Sequence, residues 1–429
     1  MNDNNKAFGL WGAVFLGIGS MVGAGIFIVI GQAGAMAGNI VWLSFLFGGL
    51  IALLSGYSLA KLAVTFQSRG GIVEYLVQGF GVNIFSGSMG VMFYFSQLIA
   101  IAAVAKAFGT YSGTLMSDSS IFMINIFAIG VVMVFTIINL VGAAIVAKSE
   151  NIIVIIKLSV LAIFAIASFF TIQPELLSIS KIPPISGMVF AIGITFFAYQ
   201  GFSVITNTVE DMKDPQNTML KAMFIAILIV AVLYIITSIA VLGNLSLDKI
   251  IQTKDYALAV AAKPMFGELG FKIISVTALL ATASAINATL FSVSSIGYTM
   301  AKEGSLPKVY EYNVFHSNEG LIISSLLVIP MILFFNLSQI TTVAAIIMLI
   351  VQGTTHIAHL NLIKKTKANK SQILLAIFAM FIIAAITLYS TYEKMPEIAY
   401  YLIGAFSIAF SIEFLLRFIN KRVILKQTT

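Results

Sequence analysis

Gly17-Ile18-Gly19-Ser20-Met21-Val22-Gly23-Ala24-Gly25-Ile26-Phe27 lies in the middle of an apolar run from Phe8 to Ile30. A continuous membrane helix has little use for four glycines in nine residues, because each costs about 1 kcal/mol against alanine. Glycine also lets the backbone leave helical geometry and lets another group come close. At membrane depth, unwound backbone is tolerated only where protein buries it or it lines a wet cavity. Two readings of the stretch follow. In the first, Gly23-Ala24-Gly25 is a break at the bilayer midplane whose freed N–H and C=O groups can take a carboxylate and an ammonium. In the second, the glycines are small residues that let helices pack tightly.

Composition sets the class. Of the 429 residues, 59% are hydrophobic and 10% charged, and the mean hydropathy is +1.03. That is an all-α polytopic membrane protein. The first apolar run starts at Phe8 and has no A-x-A-like end, so no cleavable leader is expected. The chain has no cysteine, which excludes disulfide and thiol chemistry. Its three histidines form no close-set cluster with Asp or Glu, so no metal or other cofactor is expected. The net charge of +7 reads as basic cytoplasmic loops rather than nucleic-acid binding.

Twelve spans are expected, at about 9–32, 38–64, 83–109, 121–143, 148–171, 186–208, 219–243, 269–299, 321–337, 339–359, 372–391 and 397–418. Each is long enough for a hydrocarbon core of ~30 Å. With the N-terminus inside, sixteen of the twenty-four Lys and Arg residues fall on the cytoplasmic side and seven outside. That asymmetry puts both termini in the cytoplasm. The run Lys364–Lys370 is a topology signal first and a lipid-binding patch second. Glu413 stands four residues before Arg417, which suits an i,i+4 ion pair. Residues 67–76 lead into a short amphipathic stretch before span three, and the outer loop near Asp248–Glu268 has room for a surface helix.

Span six repeats the opening theme. Thr195-Phe196-Phe197-Ala198-Tyr199-Gln200-Gly201-Phe202-Ser203 puts polar groups and a glycine inside an apolar helix. Spans one and six are five apart. Broken helices at matched positions of two five-helix halves point to an inverted-repeat transporter with its site at the midplane. Phe196, Phe197, Tyr199 and Phe202 then cover a small bound solute, or they are aromatic core.

Lys157 is the one basic residue well inside a span. Ionisable groups there are rare and costly. Three readings stay open. It releases and rebinds a proton during transport; it stays charged and pins helices as a bound sodium ion would; or it snorkels to the inner surface. The last is strained, because Glu150 is seven residues away, roughly 10 Å along a helix. Polar partners are available on span eight, in residues 281–289.

Taken together these motifs resemble the amino acid–polyamine–organocation permeases over nearly the whole chain. Gly-Ser-Met-Val-Gly-Ala-Gly-Ile-Phe at 19–27 is similar to that family's first span. Arg-Gly-Gly-Ile-Val-Glu-Tyr-Leu at 69–76 resembles its loop before span three. Phe-Phe-Ala-Tyr-Gln-Gly-Phe at 196–202, with Thr206, Asn207 and Glu210, is similar to its sixth span. Ser-Ala-Ile-Asn-Ala-Thr-Leu at 284–290, with Tyr298, Ala301-Lys302 and Gly304-Ser305-Leu306-Pro307, resembles its eighth span and the loop after it. Ala-Leu-Ala-Val-Ala-Ala-Lys-Pro at 257–264 and Lys157 are similar to the archaeal broad-specificity, proton-coupled branch.

The resemblance implies one transporter domain with the leucine-transporter fold: repeats at about 9–171 and 186–359, extra helices at about 372–418, and spans one and six discontinuous. It implies an α-amino acid bound between those spans. Amides around Gly23, Ala24 and Gly25 would hold its carboxylate, and carbonyls near Met21, Phe197 and Gln200 its ammonium. Ser20, Met21, Phe197, Phe202 and Ser203 would set pocket volume. Lys157 would occupy the sodium position of sodium-coupled relatives, with Thr282 and Ser284 beside it. Ser203 stands where family members that bind basic substrates often carry an acid, which weighs against cationic amino acids and polyamines.

The expected function is sodium-independent, proton-coupled symport of small or apolar amino acids in a prokaryotic plasma membrane. The alternative is an exchanger in which Lys157 stays charged. A sensor would carry an added soluble domain, whereas this chain has a tail of about ten residues and no large loop. An enzyme would need a nucleophile–base pair or a metal. A channel is disfavoured by two breaks around one closed pocket. The oligomeric state is not legible.

Overall fold

The computed structural model describes residues 9–68, 70–116, 118–141, 144–178, 185–315, 317–419, 421 and 423. Of the residues named above, Phe8 and Arg69 lie outside these, as do the side chains of Ala24 and Glu150.

Sixteen α-helices follow one another among the described residues. They are α1 (Leu10–Ala37), α2 (Val41–Thr65), α3 (Ile72–Phe80), α4 (Ile84–Leu115), α5 (Ile121–Val141), α6 (Ala144–Ser168), α7 (Ile185–Tyr199), α8 (Pro215–Asn244), α9 (Leu247–Gln252), α10 (Ala257–Ala261), α11 (Lys263–Glu303), α12 (Glu319–Phe334), α13 (Leu337–Asn361), α14 (Ile363–Thr366), α15 (Lys370–Lys394) and α16 (Glu397–Phe414). Strands are confined, among the described residues, to the two-residue antiparallel pair Asn313–Val314 and Ser317–Asn318. Ten described stretches are long and apolar enough to cross a membrane. Two shorter apolar helices join them, Leu10–Gly23 in the first half of α1 and Glu319–Phe334. The chain is an all-α polytopic membrane protein.

Local chemistry sets the ends. Asn83 caps α4 by accepting from the Ser86 amide at 2.9 Å, and the Ser86 hydroxyl accepts from the Asn83 amide at 3.2 Å. Asn336 and Gln339 form the same reciprocal box at the start of α13. Asp214 adopts a left-handed φ of 107° and caps α8, with Pro215 as its first residue. The short amphipathic stretch before span three is α3, and the outer loop carries α9 and α10. Gly267, at φ 60° and ψ −148°, kinks α11 near its start. Glu413 and Arg417 pair at 3.1 Å.

Helices α1, α2, α7 and α8 pack together, and α4 packs against α5, α11 and α13. The most extensive pairings join α1 to α7, α2 to α8 and α4 to α11. Large apolar side chains on α5 and α6, among them Ile121, Phe122 and Ile163, face outward, as lipid-contacting surface does.

The structure departs from the expected break in span one, because α1 is a single helix from Leu10 to Ala37. Its glycines admit neighbours instead. A Cβ on Gly23 would sit 2.4 Å from the Ala285 Cβ, and one on Gly25 would sit 2.0 Å from the Tyr234 hydroxyl oxygen. Span six is not one regular helix. After Tyr199 the chain continues as a 3-10 helix, Gln200–Asp211. Runs of this kind beyond three or four residues are uncommon and often mark a hinge.

Candidate substrate-binding site

The pitch change in span six faces the middle of α1. A Cβ on Gly201 would lie 2.4 Å from the Met21 nitrogen, so only glycine lets the 3-10 backbone cross α1 there. Beside this crossing lies a cavity of about 50 Å³. Its walls come from Ser20 and Met21 of α1; Gln97, Ala100 and Val104 of α4; and Phe197 and Ala198 of α7. The 3-10 helix adds Gln200, Gly201, Ser203 and Val204. Ala285, Thr289 and Ser292 of α11 and Met348 of α13 close it.

Of the residues singled out from the sequence, Ser20, Met21, Phe197, Gln200 and Ser203 line this cavity. Gly23 and Gly25 do not, being committed to the contacts on Ala285 and Tyr234. Phe202 is fully buried in the core and is not part of the cavity wall. It is two residues past Gln200, and a 3-10 helix turns about 120° per residue, so neighbours diverge quickly. Gln97, Thr289, Ser292 and Met348 were missed. Each is an unremarkable residue in an apolar helix, and only the packing of distant helices brings it in.

Backbone carbonyls here are held by tyrosines. Tyr234 donates to the Met21 carbonyl at 2.7 Å and lies 3.3 Å from the Ala198 carbonyl, which ties α8 to both α1 and α7. Tyr111 donates to the Phe27 carbonyl at 3.0 Å. The Gln200 carbonyl accepts from the Ser203 hydroxyl at 3.0 Å. A carbonyl has two lone pairs, and within their helices Met21 and Gln200 each give one to a backbone N–H and the other to these hydroxyls.

Lys157 is wholly buried on α6 and donates from Nζ to the Gly19 carbonyl at 2.6 Å. Gly19 directly precedes two cavity-lining residues. Thr282 and Ser284 are buried on α11, which packs against α6, and the Thr282 hydroxyl donates to the Ala278 carbonyl of its own helix at 2.7 Å. No group of three or more His, Asp or Glu that could hold a metal occurs among the described residues.

A polar latch closes over the C-terminal end of α1. Gln32 donates to Asp255 at 2.5 Å, in the turn between α9 and α10, and accepts from Ser338 of α13 at 2.5 Å. Lys254 donates to Ser338 at 3.1 Å. Burial pushes the Asp255 carboxyl above the usual carboxylate range, against the opposing pull of Lys254, the Gln32 bond and Lys106. Opening the latch hydrates the carboxyl and returns it toward its ordinary range, so opening releases a proton. The closed latch is therefore favoured at low pH. It weakens as pH rises from the ordinary carboxylate range through the raised value. In this cysteine-free chain a single cysteine at Val104 should react faster with a thiol reagent as pH rises, beyond the rise due to thiol ionisation. In an Asp255→Asn background the excess should vanish; an excess that persists removes Asp255 as its cause.

A family model described as amino acid permease matches residues 8–418. The chain is 34% identical over 425 residues to an uncharacterized protein of Methanocaldococcus jannaschii, covering 98% of each. It is 35% identical over 408 residues to the inner membrane transport protein YbaT of Escherichia coli, covering 94% of this chain and 95% of the relative. With the serine/threonine exchanger SteT of Bacillus subtilis it shares 27% identity over 314 residues, 71% and 70% of the two chains. The chain belongs to the amino acid permease family of the amino acid–polyamine–organocation superfamily.

Proposed function

We propose that this protein moves small or apolar amino acids across a prokaryotic plasma membrane by alternating access, in symport with protons and without sodium. The observation that carries the reading is the buried Lys157 ammonium on the Gly19 carbonyl, one residue before the cavity-lining Ser20. A cation built into the chain at that place takes the role of a bound metal cation, and its proton is exchangeable. Ser20, Met21, Phe197, Gln200 and Ser203 surround the amino-acid backbone in this reading.

The arrangement proposed is twelve crossings, with both termini cytoplasmic and repeats at about 9–171 and 186–359. Pairing of α1 with α7, α2 with α8 and α4 with α11 supports it, since an inverted repeat sets equivalent helices against one another across its pseudo-twofold axis. Exchange is a second reading, favoured by the similarity to a serine/threonine exchanger.

Radiolabelled alanine uptake into sodium-free proteoliposomes separates the two. Symport predicts accumulation under an inward proton gradient and none without it. If the gradient has no effect while internal alanine accelerates uptake, the protein exchanges and the symport reading is lost.

A further inference from the structure

One residue of the cavity wall carries a hydrogen-bond donor that the fold leaves over. Gln200 is 9% exposed, and its Nε2 has no partner among the described residues. Its Oε1 accepts from Nε2 of Gln352, on α13, at 2.6 Å. Gln352 Oε1 accepts from the hydroxyl of Ser55, on α2, at 2.8 Å. The same hydroxyl oxygen lies 3.0 Å from His356 Nε2. A hydroxyl has one proton, and here it goes to Gln352. Ser55 therefore accepts from His356, whose ring proton is on Nε2. His356 Nδ1, which has no partner among the described residues, is then a bare acceptor rather than a stranded N–H.

Each link fixes the next: His356 to Ser55, Ser55 to Gln352, Gln352 to Gln200. Running the chain backwards would put the ring proton on His356 Nδ1 as a buried N–H without an acceptor. In this order the surplus N–H is on Gln200, a residue of the cavity wall, where a solute can satisfy it. A buried unpaired donor is costly, and it rejects a ligand that cannot accept from it.

We propose that Gln200 Nε2 recognises an acceptor oxygen on the side chain of the transported amino acid, and that Gln352 is the positioning residue that aims it. This rests on the amino-acid transport reading and narrows it, because among small substrates it favours a hydroxyl-bearing side chain over an apolar one of the same size. Ser55 and His356 act only by holding Gln352.

Serine and 2-aminobutyrate test this directly, since they differ by a hydroxyl against a methyl at nearly equal volume. Competition against labelled alanine uptake by the wild-type protein should show serine binding about tenfold or more tightly. In Gln352→Met the serine to 2-aminobutyrate ratio should fall toward one. A structural defect alone would lower uptake of all substrates and leave that ratio unchanged. Ser55→Ala, which cuts the next link, should lower the ratio partway and serves where Gln352→Met does not fold. A wild-type ratio near or below one overturns the proposal while alanine transport stands, and so does a ratio unmoved by both variants. If alanine, serine and 2-aminobutyrate all fail to enter, the transport reading itself falls, and this inference with it.

Discussion

Lys157→Met should abolish gradient-driven accumulation while leaving the protein as stable as before, or more so. Symport of one proton per amino acid supports about tenfold accumulation per unit of pH gradient, so two units give about a hundredfold. In the variant the ratio should fall to about one. Methionine keeps the length and the apolar stem, and the buried ammonium is gone. A buried ammonium carries a desolvation cost that methionine does not. The Gly19 carbonyl loses the 2.6 Å donor but stays inside α1. Uptake and thermal melting measured on the same preparation separate the roles. A lysine that only pins α6 to α1 would lose melting temperature and transport together, and the exchanger reading predicts that alanine–alanine exchange suffers as much as accumulation. A variant that still accumulates alanine would remove Lys157 from coupling altogether.

Gly25→Ala carries the second large effect, this time on packing. The new Cβ would lie 2.0 Å from the Tyr234 hydroxyl oxygen and 2.7 Å from the Ala198 carbonyl oxygen. Tyr234 has nowhere to go. Its ring is wholly buried, with centroids 5.5 Å from Phe45 and 5.2 Å from Tyr199. Either α1 and α7 separate or Tyr234 gives up the Met21 carbonyl. Overpacking costs about 1–3 kcal/mol and a stranded buried hydroxyl about as much again. Melting temperature and uptake should both drop sharply. Gly130 is the control: a Cβ there meets nothing within 4 Å, so Gly130→Ala should gain about 0.5–1 kcal/mol of helix stability. If both alanine variants melt like the wild type, the close approach at Gly25 is not a structural requirement.

Those two glycines also mark what the sequence can and cannot tell. Apolar runs and the Glu413–Arg417 spacing are local signals, and their helices and ion pair are in the structure. Whether Gly25 frees the backbone or admits a neighbour depends on Tyr234, 209 positions away, so the first-span break was misjudged. Ser20, Met21, Phe197, Gln200 and Ser203 were reached through the resemblance of the first and sixth spans to the family, not through polarity alone. Gln352 escaped notice because its partners, Ser55 and Gln200, are 297 and 152 residues distant. Phe202, expected to help set the pocket volume, is core instead, because the chain changes pitch just before it.

That pitch change has a mechanical consequence. A 3-10 helix rises about 2.0 Å per residue against about 1.5 Å for an α-helix. The twelve residues of Gln200–Asp211 therefore hold a stroke of about 6 Å, slightly more than one α-helical turn. One end is wedged, with Gly201 seated on the backbone of Ser20 and Met21. The other runs through Met212 into the Asp214–Pro215 cap of α8. Winding this thread tighter or looser moves the capped end along its axis while the cavity end stays put. Twist in this segment is thereby coupled to length along its own axis, as a lead screw converts rotation into travel.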